Sequence, residues 1–180
     1  MSIRTIRSRE VYRNRWLALR EDEIERADGS PGRYAVVEKA DFALIIPMED
    51  AHVYLVEQYR VPVQARFLEF PQGSWELQPA ADPVELARGE LQEETGLRAA
   101  NMEHLGHLFI AYGISNQGFH IFRATGLTAG DPAPDKEEQD LVVKRVPIAE
   151  FQRLIQSGQI KDAASISAWA LWMMKQADAS

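Results

Sequence analysis

The chain has 180 residues, with 20 Lys and Arg against 27 Asp and Glu, giving a formal net charge of −7. Hydrophobic residues at 46% and charged residues at 26% are ordinary for a globular domain and exclude wholesale disorder. The acidic balance argues against a general nucleic-acid or anionic-membrane binder, because both surfaces repel it, but leaves room for a basic pocket that takes a small phosphate ligand.

A compact domain of this length has a radius of gyration of roughly 16 Å, enough for a substantial core. The sequence contains no cysteine, which excludes disulfides, thiolate catalysis and cysteine-ligated zinc and fits a reducing, cytoplasmic setting. The first 16 residues have no apolar run of the kind a signal peptide needs. Their arginines are also a feature of transit peptides, but the segment runs straight into strand-like sequence. The longest apolar stretch, around residues 168–174, is too short to span a bilayer.

Taken in chain order, residues 11–16, 17–25 and 33–38 read as strands, the last two separated by an Asp28-Gly29-Ser30-Pro31-Gly32 turn. Residues 1–38 are expected to form a small β appendage, and 39–180 the main domain. Two apolar runs, 42–47 and 53–58, read as a hairpin of buried strands joined by residues 48–51. Residues 67–70 form another short strand. The period then changes. Val84, Ala87 and Leu91 share a helical face, Asp82-Pro83 supplies a cap and a first-turn proline, and Gly96 a stop. Strands are expected again near 102–110, 118–124 and 140–146. Two helices follow, 148–156 and one from after Asp162 to about Gln176. This order predicts an α+β fold or sandwich rather than a regular βαβ repeat, and neither a Walker loop nor a Rossmann glycine fingerprint is present.

The helix carries Glu90, Glu93 and Glu94 at i, i+3 and i+4, on one face about 100° wide. Such a triple is either a solvated acidic face or a site for a hard cation. Mg²⁺ and Mn²⁺ take carboxylate oxygens and bind phosphate oxygens at the same time. His52, His104, His107 and His120 form no helical metal pair and read as structural, because 104 and 107 fall in a strand. Trp169, Trp172 and Met173 read as core packing of the last helix, and no Ser-His-Asp signature surrounds Ser115.

Residues 73–97 resemble the box of the Nudix hydrolases, in which Gly, five residues, Glu and seven residues precede Arg-Glu-apolar-any-Glu-Glu-any-Gly-apolar. Gly73, Glu90, Leu91, Glu93, Glu94, Gly96 and Leu97 match. Glu57-Gln58-Tyr59-Arg60-Val61-Pro62-Val63, Leu68-Glu69-Phe70-Pro71-Gln72-Gly73, Gly126-Leu127 and Gly158-Gln159-Ile160-Lys161-Asp162-Ala163 resemble the ADP-ribose pyrophosphatase branch. Two features depart from the pattern. Gly89 stands where the family has Arg, which there braces the loop against the helix; the adjacent Arg88 is rotated about 100° away. Glu90 follows Gly73 by 17 positions instead of the family's 15, so Pro79 lies where the loop Glu is expected and Glu76 is the nearest loop carboxylate.

The resemblance implies a Nudix α/β/α sandwich with a mixed β-sheet, an N-terminal antiparallel β appendage and a homodimer. It implies Mg²⁺-dependent (or Mn²⁺-dependent) hydrolysis of ADP-ribose or a related nucleoside diphosphate sugar to a nucleoside monophosphate and a sugar phosphate. By the same resemblance Glu90 and Glu94 are the principal metal ligands, Glu93 a further ligand or the base, and the Gln72 carbonyl completes the shell. Arg60 is the candidate to bind phosphate, its other reading being a strand-end salt bridge. Glu69 holds the ribose, helps bind metal or braces the loop. Glu138 and then Glu137, in the acidic loop 131–140, are the candidates for a base on a mobile lid. Tyr12, Trp16 and Phe70 are possible contacts to the base, and residues 111–117 line the substrate pocket in the branch. The alternative function is a nucleotide-sugar sensor whose chemistry has been weakened by Gly89 and the longer loop.

Overall fold

The computed structural model describes residues 3–75, 78, 80–130 and 140–178. Strands β1 (Arg4–Arg13), β2 (Ala18–Glu25) and β3 (Pro31–Glu38) form an antiparallel sheet in that order. The first strand lies earlier than the expected 11–16, and residues 14–17 are the turn instead. Asn14 Oδ1 accepts the N–H groups of Trp16 and Leu17, each at 2.9 Å. β1 is exposed along its whole length. Its cross-strand side-chain ties are polar, with Arg4–Glu25 at 3.2 Å and Arg9–Glu21 at 3.4 Å.

A seven-stranded mixed sheet follows. Its strands are β4 (Phe42–Glu49), β5 (His52–Arg60), β6 (Ala65–Glu69), β7 (Gln72–Gly73), β8 (Leu97–Phe109), β9 (Gly118–Ala129) and β10 (Val142–Pro147). The main path is β10-β5-β4-β9-β8, with β6 on β5 and β7 on β4; β4 and β9 run parallel and the other pairs antiparallel. The β4–β5 hairpin is tighter than expected. Only Asp50 and Ala51 join the strands, at φ 47° and 59°, the signs of a type I′ turn.

Helix α1 (Pro83–Thr95) covers one face of this sheet, and α2 (Ile148–Gln156) and α3 (Ala163–Asp178) the other. β4 separates the two cores because its alternating side chains are apolar on both sides. Leu44, Ile46 and Met48 pack with Phe151, Leu154 and Ala168; Ala43 and Ile45 pack with Leu86, Ala87 and Leu91. This is the expected α/β/α sandwich. Both signals expected of α1 operate: Asp82 accepts the Val84 N–H at 2.8 Å, and Gly96 closes the helix at φ 68°.

Trp169 and Trp172 pack against the core, whereas Met173 is 50% exposed, so the last helix turns that residue to solvent. Phe70 is fully buried and stacks on Phe151 at 5.1 Å, which removes it as a contact to a ligand base. The N-terminal sheet docks on the segment between β8 and β9. Tyr34 Oη donates to the Gly113 carbonyl at 2.6 Å, and the Val37 N–H to that of Ile114 at 2.8 Å. Among the described residues no helix is long and apolar enough to cross a membrane.

Candidate functional site

β4 and β5 pair only at their turn end, Met48 with Val53 and Glu49 with His52. Farther along, β7 takes the place beside β4, pairing Ala43 with Gly73 and Leu44 with Gln72. The chain leaving β6 is thereby carried across the sheet to the flank of α1. There the two residues of β7 meet two carboxylates one turn apart. The Gln72 N–H donates to Glu94 Oε2 at 3.0 Å. A Cβ on Gly73 would fall 2.6 Å from Cδ of Glu90 and closer still to Oε2, so only glycine lets that carboxylate lie on the backbone. Glu90 and Glu94 are buried and Glu93 is half-buried.

A cleft of about 910 Å³ opens at this junction. It brings together seven of the residues singled out in the sequence: Trp16, Arg60, Glu69, Gln72, Gly73, Glu90 and Glu93. Glu94 lies behind them, on the Gln72 N–H. Glu76, Glu137 and Glu138, and Pro79, lie outside the described residues.

Arg60 and Glu69 form an ion pair, with Arg60 Nη2 2.6 Å from Glu69 Oε1. The salt-bridge reading of Arg60 therefore holds, and within the cleft, where the guanidinium has further N–H groups to offer. Glu69 Oε2 also accepts from the Gln72 side-chain amide at 3.2 Å, and the same amide donates to Asp162 Oδ2 at 3.0 Å. Asp162 takes the N–H of Ser165 at 2.8 Å and its hydroxyl at 2.7 Å, and Ser165 Oγ accepts the Phe70 N–H at 2.8 Å. One network thus fastens the start of α3 to the strand that leads into β7.

Several cleft residues were not assigned from the sequence: Asp162, Lys161, Lys39 and Arg15. In the sequence Asp162 marks the start of the last helix, yet it also stands in the Gly158–Ala163 motif that carries part of the resemblance. Trp16 lines the cleft and Arg15 lies over its ring at 4.3 Å, whereas Tyr12 is an exposed residue outside the cleft lining. Of the segment 111–117, Gln117 lines the cleft, while Gly113, Ile114, Ser115 and Asn116 bond to the N-terminal sheet or to the link that follows it.

The departure at Gly89 has a physical explanation. A Cβ there would overlap Cζ2 of Trp75 and approach Cη2 at 3.1 Å, so the indole lies on the backbone of α1 where a side chain would begin. Trp75 also packs against the α1 core. The loop is thus braced on the helix by an aromatic ring over a glycine. Arg88 points elsewhere, donating to the Ala99 carbonyl at 2.8 Å.

The arrangement is an acidic centre of carboxylate oxygens beside four cationic side chains, Arg15, Lys39, Arg60 and Lys161. Hard divalent cations take such a donor set, and the cations suit an anionic ligand. Burial, the largest influence, pushes the Glu69 carboxyl above its ordinary value; Arg60 pulls it back and Asp162 adds to the rise.

Two predictions follow from these contacts. Gly89→Arg lowers the unfolding midpoint in the presence of Trp75, and Trp75→Ala in the same chain restores part of the loss. A double-mutant cycle by chemical denaturation should give a coupling of about 0.5–3 kcal/mol, and additive effects would contradict the contact. The second concerns Glu69. Its folded value lies above the unfolded 4.5, so the folded state holds more protons between the two; the group's contribution is full below 4.5 and is lost as pH rises through the folded value. In metal-free protein, wild-type stability should fall relative to Glu69→Gln as pH rises from about 4.5 toward neutral. Parallel pH profiles of the two unfolding midpoints would contradict the burial effect.

Residues 38–169 match the NUDIX domain family, and residues 3–37 match the family described as the nucleoside diphosphate sugar hydrolase N-terminal domain. The chain is 34% identical over 166 residues to an ADP-ribose pyrophosphatase of Mycobacterium tuberculosis, covering 91% of this chain and 79% of that one. It is 26% identical over 171 residues to the ADP compounds hydrolase NudE of Escherichia coli, covering 92% and 90% of the two chains. A crystal structure of an ADP compounds hydrolase has the same fold, with a TM-score of 0.85 over 98% of this chain and 96% of that one at 24% identity. The glutamate helix and its glycine belong to a match that spans most of the length, and the chain is a member of the Nudix hydrolase family.

Proposed function

We propose that the protein hydrolyses the pyrophosphate bond of ADP-ribose or a related nucleoside diphosphate sugar with Mg²⁺, giving a nucleoside monophosphate and a sugar phosphate. The observation that carries this reading is the convergence of Glu90 and Glu93 with Arg60 and Lys161 in one cleft. Nudix hydrolases generally use a divalent cation, and the all-oxygen donors here fit Mg²⁺, with Mn²⁺ as its substitute. Bound metal neutralises the clustered phosphate charge and lowers the pKa of an attacking water.

Each residue has a distinct part in this reading. Glu90 and Glu94 are the principal ligands, placed one turn apart by α1 and addressed by Gly73 and Gln72. The Gln72 carbonyl completes the shell. Glu93 is a further ligand or takes the water's proton. Arg60 donates to the diphosphate through the N–H groups that Glu69 leaves available, and Glu69 fixes the guanidinium plane. Glu138, then Glu137, are the candidates for a base on the loop. Trp16 offers a ring 44% exposed in the cleft, suited to stacking on a nucleoside base.

The N-terminal sheet supports a homodimer as the working form. β1 exposes Ile6, Val11 and Tyr12, and a second copy is the occupant that would cover them. Residues 1–38 would then be the dimer-forming unit and 39–180 the catalytic one. A cytoplasmic setting accords with the cysteine-free composition. The sensor reading drew on Gly89 and the loop, and the Trp75 contact argues against reading Gly89 as a simple loss.

The test is product analysis with a panel of nucleoside diphosphate sugars and Mg²⁺. ADP-ribose should yield AMP and ribose 5-phosphate, and Glu94→Gln should reduce the rate about a hundredfold or more while the protein stays folded. Full activity in Glu94→Gln would overturn the ligand assignment. Tight binding in calorimetry without turnover of any panel member would favour the sensor.

A further inference from the structure

Three of the four histidines converge at one end of the large sheet. In an undisturbed strand, residues three apart point to opposite faces, so His104 and His107 would lie on either side of β8. A β-bulge changes this. His104 faces Phe122 and Gly106 faces Ile121, which leaves Leu105 as the extra residue. His107 is then directly across from His120 and on the same face as His104. The ring centroids of His107 and His120 are 4.7 Å apart, and those of His104 and His120 5.3 Å.

Asp41 reaches the same point from the residue before β4. Its Oδ1 accepts the Gly118 N–H at 2.8 Å, and its Oδ2 lies 2.9 Å from His107 Nε2. Gly118 leaves room for this, since a Cβ there would overlap the His107 ring and come 3.1 Å from Asp41 Oδ2. One ligand atom from each of Asp41, His107 and His120 lies within 4.8 Å of the other two.

We propose that Asp41, His107 and His120 bind a late first-row divalent cation, with Zn²⁺ as the type, at a site separate from the carboxylate cleft. Two imidazoles and one carboxylate are a softer donor set than the glutamates of α1, and imidazole selects Zn²⁺ or its neighbours over Mg²⁺. Three protein ligands leave the fourth tetrahedral position to water. Bonds of about 2.0–2.1 Å set tetrahedral ligand atoms roughly 3.3 Å apart, so the Asp41–His107 pair, at 2.9 Å, would open by a few tenths of an ångström, and His120, within 4.8 Å, would draw in on the cation.

The surroundings also have the form of a metal site. His104 Nε2 lies 3.2 Å from His120 Nδ1, which holds the His120 ring in orientation and leaves its Nε2 for the cation. The Gly118 N–H holds the Asp41 carboxylate in the same way. A cavity of about 260 Å³, bordered by Asp41, His120, Pro83 and Leu86, gives water access to the open position. Phe42 and Trp75 line both this cavity and the glutamate cleft, and so form the wall between them.

The test is a Zn²⁺ titration of the full chain by calorimetry with Mg²⁺ in excess. It compares wild type with His107→Ala/His120→Ala and with Glu90→Gln/Glu94→Gln. The glutamate variant should keep one tight Zn²⁺ per chain, and the histidine variant should lose it by more than about tenfold in affinity. His104→Ala should weaken it by about tenfold without abolishing it. Unchanged Zn²⁺ affinity in the histidine variant, loss in the glutamate variant alone, or no tight Zn²⁺ in wild type would each overturn the proposal. Should the histidine variant misfold, the side-chain ¹⁵N resonances of wild type decide: those of His107 and His120 move on adding Zn²⁺ if the site is real and stay in place if it is not.

Discussion

The site depends on the closeness of a two-residue strand to a helix. β7 is held to β4 by backbone pairing, and α1 is held to the same strand by the packing of Leu86, Ala87 and Leu91 on Ala43 and Ile45. Between them there is room for the Glu90 carboxylate only because residue 73 has no side chain. One turn on, Glu94 is fastened by the Gln72 N–H. Burial of two carboxylates is costly without compensating partners. For Glu94 one such partner is the Gln72 N–H, at 3.0 Å.

The same junction explains how an acidic protein can address an acidic ligand. The net charge of −7 is not carried by the cleft lining, where four acidic and four basic side chains balance. Glu69, Glu90, Glu93 and Asp162 stand in one cleft with Arg15, Lys39, Arg60 and Lys161. A divalent cation held by the carboxylates would turn the acidic side of that cleft into a surface for phosphate, which the basic side chains also suit. The network from Arg60 through Glu69, Gln72, Asp162 and Ser165 to the Phe70 backbone makes the cleft wall one connected unit. Through the Gln72 N–H on Glu94 the first helix is tied to the same unit, so polar contacts join it to the strand before the loop and to the last helix, alongside the two apolar cores.

Much of this was legible in the sequence where the signal is local. The limits of α1 follow from Asp82, Pro83 and Gly96, whose capping acts within a few residues, and the glutamate face follows from helical spacing alone. β1 was misplaced because it buries nothing: a strand tied by Arg4–Glu25 and Arg9–Glu21 carries no alternating apolar pattern. Gly89 read as a loss because its partner, Trp75, lies 14 positions away in a loop, and only the packing shows the indole on the helix backbone. The histidines read as structural in the sequence because 104 and 107 fall in a strand and form no helical pair. They do lie in a strand, but the bulge at Leu105, which has no signature in the sequence, puts His104 and His107 on one face. Asp162 serves at once as a helix start and as an anchor for Gln72, and only the first role has a local signature.

The central claim is that the carboxylates of α1, organised by Gly73 and Gln72, form the metal-dependent centre for a diphosphate held by Arg60. Its most direct test is a crystal structure with Mn²⁺ and a nonhydrolysable ADP-ribose analogue, with the metal located by anomalous scattering. Mn²⁺ is expected among Glu90, Glu93 and Glu94 beside Gly73, with the diphosphate between the metal and Arg60. Mn²⁺ away from these glutamates, or the analogue bound outside the cleft, would contradict it.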